Sequence, residues 1–248
     1  MIAFYALSRA MLKEFLRDWF TLLFTFFFPL LFVVYGIHQI TVSPDRHDLL
    51  ERVIPLYTWS VAGTGVFGMG MSLVDWRRRH LLRRIRQTPA STLSVLFSRI
   101  TVILVITAAQ TAAFFTVLAL PPFSVRLGGS WWLCLPAIAL GALSFACLGL
   151  LIGARCNNDQ AGVALANLLI TPMALVCGTF FDLRQAPGWI QSTAHLLPLY
   201  HVNQAMGAVL ADNSGLTALY SPVASLIAFS ACTALVALVL FRWEQDTP

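Results

Sequence analysis

Charge is scarce in this sequence: only 11% of its 248 residues are Asp, Glu, Lys or Arg, about half of what a soluble domain carries. With 58% hydrophobic residues and a mean hydropathy of +0.76, the composition excludes a soluble globular domain and predicts a polytopic membrane protein. The net charge of +5 does not call for nucleic acid, because the basic residues lie beside long apolar runs. Catalytic signatures are missing as well. There is no G-x-x-x-x-G-K-[ST] loop for nucleotide and no H-E-x-x-H, and Gly70-Met71-Ser72 lacks the second glycine of a nucleophile elbow. Cys134, Cys147, Cys156, Cys177 and Cys232 form no C-x-x-C pair, so no disulfide framework is expected. His38, His47, His80, His195 and His201 show no metal-ligand spacing, so no metal is expected. Asp75, Asp159 and Asp182 stand only at the ends of apolar runs, which argues against a proton-driven carrier and leaves the chain without an energy source. No cleavable signal peptide is evident, and the mature chain is expected to start at Met1.

What is present is a series of apolar runs. Residues 20–38, 53–74, 93–120, 133–154, 161–181 and 221–241 predict six transmembrane helices in an all-α fold. Residues 1–19 read as an amphipathic helix, with Phe4, Met11, Leu12, Phe15, Leu16 and Trp19 on one side and Arg9, Lys13 and Arg17 on the other. It either lies in the membrane interface, against lipid, or extends the first span. Residues 182–220, between spans five and six, are too polar for a span and are broken by Pro187 and Pro198, as in a re-entrant outer hairpin. With the amino terminus inside, twelve basic residues fall on inner segments and four (Arg46, Arg52, Arg126 and Arg184) on outer ones. That bias predicts a multi-pass cell-membrane protein with both termini cytoplasmic.

The stretch Asp75 to Arg86 sets six arginines between spans two and three. As a helix it gathers Leu81, Leu82 and Ile85 on one narrow face, and Thr88-Pro89 stops it. Two readings stay open on these residues alone: a positive-inside topology signal touching anionic lipid, or a docking element for a soluble partner.

The run Leu82-Arg83-Arg84-Ile85-Arg86-Gln87-Thr88-Pro89, preceded by Asp75, resembles the cytoplasmic loop of ABC-2-type permeases, the membrane subunits of ATP-driven exporters; it departs from them at His80-Leu81. A longer block is also similar to that family: Thr171-Pro172-Met173, Gly178-Thr179-Phe180-Phe181, Pro187-Gly188-Trp189-Ile190-Gln191 and Leu197-Pro198-Leu199-Tyr200-His201. Asp182 stands where the family commonly has proline, and Met206 near a frequent arginine. The order of segments matches from end to end, and the drug-resistance and nodulation-type lipo-oligosaccharide exporters look nearest.

The resemblance implies a single ABC-2 transmembrane domain over residues 1–248, with 75–92 as the coupling loop. ATP and Mg would sit on a separate ATPase, two copies per transporter, and the permease would form a homodimer or a pseudo-dimer with a related chain in the inner membrane. No cofactor is expected on this chain. Asp75, Arg77, Arg78, Leu81, Leu82, Arg83, Arg84, Ile85, Arg86 and Pro89 would then couple to the ATPase. Thr58, Ser60, Thr64, Asn167 and Thr171 would face a substrate path for a drug-like or lipid/oligosaccharide cargo, or else serve as interhelical hydrogen-bonding groups. Pro187, Trp189, Pro198, Tyr200 and His201 would form an outer gate. The competing expectations are an ATP-independent channel or carrier, and a lipid-acting enzyme built on Asp182, His195 and His201.

Overall fold

The computed structural model describes residues 2–27, 29–31, 34, 46–78, 92–120, 125, 128–156 and 158–240. Among them the α-helices are, in chain order, α1 (Ile2–Arg17), α2 (Trp19–Leu22), α3 (Arg46–Arg78), α4 (Thr92–Ala119), α5 (Cys134–Arg155), α6 (Asp159–Val176), α7 (Gly188–Ala194), α8 (Pro198–Leu210) and α9 (Tyr220–Leu240). A π-helical turn, Leu23–Phe27, continues α2. Among the described residues there is no strand.

Among the described residues, four helical segments are long and apolar enough to cross a membrane: Ser94–Ala119, Trp131–Arg155, Asp159–Val176 and Leu216–Ala237. They fall on the expected third to sixth apolar runs. Helix α3 is longer than any of them at 33 residues, about 50 Å at 1.5 Å per residue. It stays outside that set because Tyr57, Thr58, Ser60, Thr64 and four glycines dilute the uncharged stretch 53–74. It also starts at Arg46, seven residues before the expected run. Arg46 to Arg52 read as loop because of their charges, yet Leu49, Leu50 and Glu51 are good helix formers and Leu50 is fully buried.

Helix α5 is the centre of the packing. Against α3 the approach is set by glycine: a Cβ on Gly65 would stand 2.6 Å from Phe145 Cβ, and one on Gly153 would stand 2.6 Å from Leu73 Cβ. Small residues at such crossings let backbones come close and gain dispersion contact. On its other flank α5 meets α9, where the Ser144 and Ser230 hydroxyls pair at 2.6 Å. Helix α1 packs on α4 through Met11, Val95, Val102 and Ile106, and Ser98 Oγ donates to the Phe4 carbonyl at 3.3 Å.

Candidate functional site: the two ends of helix α3

After α6 the chain reverses at Gly178, whose φ of +77° lies in the left-handed region that glycine adopts without a Cβ penalty. The Thr179 amide reaches back to the Ala174 carbonyl at 3.0 Å, closing the helix end. The segment then forms a 3-10 turn at Leu183–Gln185, α7 and α8. Pro187 caps α7, and Pro198 opens α8 at a position where its missing N–H costs nothing.

This hairpin, the first turns of α3 and the end of α6 enclose an open cleft of about 1240 Å3. Its walls carry Asp48, Glu51, Arg52, Asp182, Arg184 and Asp212 alongside Phe180, Phe181 and Tyr200. Ion pairs fasten the hairpin to α3. Arg184 Nη2 lies 2.5 Å from Glu51 Oε2, and its Nε lies 3.3 Å from Asp182 Oδ1. At the far end of the hairpin, His47 Nε2 meets Asp212 Oδ1 at 3.1 Å, with Nδ1 3.8 Å from Glu51. The Arg184 amide and guanidinium hold the Asp182 carboxyl below the usual carboxylate range. His47, Asp48 and Glu51 can bring one ligand atom each within 4.8 Å of one another, but the Arg184 guanidinium on Glu51 opposes a second cation there.

Inside the hairpin, His201 Nε2–H donates to the His195 carbonyl at 2.9 Å, which leaves Nδ1 as the unprotonated nitrogen. That nitrogen is buried and has no protein partner. Burial holds the imidazole below its ordinary pKa. Tyr200 packs edge-on against His195, with ring centroids 4.4 Å apart, and burial pushes its phenol upward.

The other end of α3 is basic. Arg78 Nη1 pairs with Asp159 Oδ2 on α6 at 2.6 Å, and Arg77 Nη1 donates to the Ala154 carbonyl near the end of α5 at 3.0 Å. Arg99 on α4 donates through Nε to the Gly68 carbonyl at 2.9 Å and lies near Glu14 of α1.

Of the expected coupling residues, Asp75, Arg77 and Arg78 form the last turn of α3. Leu81, Leu82, Arg83, Arg84, Ile85, Arg86 and Pro89 lie outside the described residues. The five expected path residues divide into two groups. Thr58 is fully buried, with its hydroxyl on Asn203 Oδ1 of α8 and 3.1 Å from the Pro55 carbonyl. Thr64 Oγ1 donates to Gln110 Oε1 on α4 at 3.1 Å, and Ser60 Oγ is buried without a protein partner. Asn167 and Thr171 instead lie on the exposed side of α6, and Asn167 Nδ2 donates to its own helix at Val163 O, 3.0 Å away. Pro187, Trp189, Pro198, Tyr200 and His201 all belong to the hairpin, Trp189 at 70% exposure and Pro198 buried. Sequence reasoning missed His47, Glu51, Asn203 and Asp212. Glu51 and His47 stand one helical turn apart, a usable signal once α3 is extended; their hairpin partners are far away in sequence and leave none.

Comparison with known proteins identifies the family. Nodulation protein J of Bradyrhizobium diazoefficiens is 32% identical over 127 residues, 48% of this chain and 47% of that protein. Nodulation protein J of Rhizobium meliloti (strain 1021) is 34% identical over 82 residues, covering 32% and 31% of the two chains. The protein of the same name from Rhizobium leguminosarum bv. trifolii is 35% identical over 82 residues, covering 32% and 31%. The chain therefore spans less than half the length of each of these relatives. The family described as ABC-2 type transporter matches residues 2–210, which take in α3, the basic end and the hairpin through α8, and the chain belongs to that family of membrane transporter subunits.

Proposed function

We propose that this chain is the membrane-spanning permease of an ATP-driven exporter, moving a drug-like or lipid/oligosaccharide cargo outward with energy from a separate ATPase. Family membership supports a transporter subunit, and ABC-2 permeases generally work with an ATPase partner. The observation that carries the finer reading is the reach of α3. One continuous helix joins the ion-paired cleft at Glu51 to the basic turn at Asp75, Arg77 and Arg78. Movement imposed at the basic end would be carried toward the cleft along α3, which Gly65 and Gly153 seat closely on α5 and which Pro55 interrupts one turn from Glu51.

In this reading six spans cross the membrane and the basic end faces the cytoplasm. The segment 75–92 docks on the ATPase, with Leu81, Leu82 and Ile85 in a groove and arginines setting the register. Two permeases, identical or related, would pair and engage two ATPases. Asn167 and Thr171 on the open side of α6 are the better candidates for the path, since hydroxyl and amide groups facing lipid are costly. Thr58 and Thr64 serve as interhelical ties. The hairpin and its cleft would act as the outer gate.

The test is purification of the chain from its own host in mild detergent, with mass spectrometric identification of what comes with it. A Walker-motif ATPase that is retained by the native chain and lost with Leu82→Asp is the expected result. Recovery of the chain alone in a form that transports would overturn the proposal in favour of an ATP-independent channel or carrier.

A further inference from the structure

Pro29 has no amide hydrogen, so the carbonyl four residues before it, that of Thr25, loses its ordinary helical donor. The backbone there is already widened into the π-helical turn Leu23–Phe27. A donor comes from another helix: Gln110 Nε2, on α4, reaches the Thr25 carbonyl at 2.9 Å. The opposite end of the same amide accepts from Thr64 Oγ1 of α3 at 3.1 Å. Gln110 is only 5% exposed and is the sole amide side chain in the 28 residues of α4. An amide buried in an apolar helix is costly unless both its ends are paired. Here they are, and to two different segments.

Beside this amide is a small cavity of about 10 Å3, lined by Thr25, Pro29, Tyr57, Ser60 and Gln110 among others. That is close to the room one water needs. The Tyr57 hydroxyl is taken by Thr111 at 2.7 Å, while Ser60 Oγ is buried and has no protein partner.

We propose that Gln110 is the replacement donor for the hydrogen Pro29 lacks. Together with one water held on Ser60, its amide forms a polar joint that fastens the first helical segment to α3 and α4. Gln110 is then a positioning residue: it fixes the segment at Thr25 against the helix that joins the two ends of the molecule. The proposal does not depend on the ATPase or on the direction of transport, and its test reads neither.

The test is a double-mutant cycle on the full chain, read as the midpoint of thermal unfolding in detergent. Gln110→Leu is expected to lower the midpoint by about 3 °C in the native background. With Pro29→Ala, residue 29 regains an N–H for Thr25, and the same change is expected to cost about half as much, the remainder being the lost Thr64 hydrogen bond. Equal losses in the two backgrounds would overturn the assignment. If Gln110→Leu does not fold, Gln110→Asn, which keeps the amide one methylene short, takes its place in the cycle with the same two readings. Ser60→Ala tests the water. Loss of a bridged hydroxyl lowers the midpoint, whereas removal of an unpaired buried hydroxyl raises it, and a rise would strike the water from the joint.

Discussion

His201 shows how a single side chain ties the hairpin to pH. Its Nε2–H is anchored on the His195 carbonyl and its Nδ1 is buried, so the packed hairpin favours the neutral ring. When the hairpin opens, the imidazole returns to its ordinary pKa near 6.5. Below that pH the open form binds more protons than the packed form, so the stability that neutral His201 contributes is complete above about pH 6.5 and declines as pH falls toward the depressed value. Backbone hydrogen exchange of α8 measures this directly. Relative to His201→Gln at the same pH, exchange in the native chain is expected to accelerate between pH 7.5 and 5.5, by no more than about tenfold per pH unit for one proton. A constant ratio across that range would show that His201 does not titrate on opening. Little of this was legible in advance. The sequence marked His201 as a hairpin residue, but its tautomer depends on where the His195 carbonyl points, which only the turn between α7 and α8 decides.

Among the elements, the contact of α3 with α5 is where small residues have the clearest consequence. Gly65 and Gly63 lie two residues apart on α3 yet face different surroundings: a Cβ at Gly65 meets Phe145 Cβ at 2.6 Å, and one at Gly63 meets nothing within 4 Å. Gly65→Val is therefore expected to push the helices apart and destabilise the protein by about 1–3 kcal/mol. Gly63→Ala should be neutral or stabilising by up to about 1 kcal/mol, since alanine is the better helix former. Thermal midpoints of the two variants in the same detergent decide it, and equal losses would mean that the crossing is not glycine-dependent. The elements themselves were largely readable. Helices α4, α5 and α9 are long, nearly uncharged runs, and the hairpin was marked by Pro187 and Pro198. The start of α3 was not, because Arg46, His47, Asp48 and Glu51 have the composition of a loop and become helical through the burial of Leu49 and Leu50. The crowding of glycines at Gly63, Gly65, Gly68 and Gly70 is plain in the sequence, but the partner helix is not.

For the molecule as a whole, the arrangement of charge makes the orientation testable. Glu51, Arg184, Asp182, His47 and Asp212 gather at the end of α3 where the hairpin closes, and Arg77, Arg78 and Asp159 gather at the other. About 48 Å of helix, from His47 to Arg78, separates them, more than the roughly 30 Å hydrocarbon thickness. In the proposed six-span topology the two clusters stand at opposite membrane faces. In that topology the bias of twelve basic residues to four puts the Arg78 end inside the cell. Single cysteines at Asp212 and Arg78, in a background where the five native cysteines are replaced, provide the measurement. A membrane-impermeant maleimide applied to intact cells is expected to label Asp212→Cys and to label Arg78→Cys only after permeabilisation. The reverse pattern would invert the molecule and put the proposed docking segment beyond reach of any cytoplasmic ATPase. Labelling of both from outside would mean that α3 does not span the membrane, and with it would go the proposal that α3 carries motion from the ATPase to the gate.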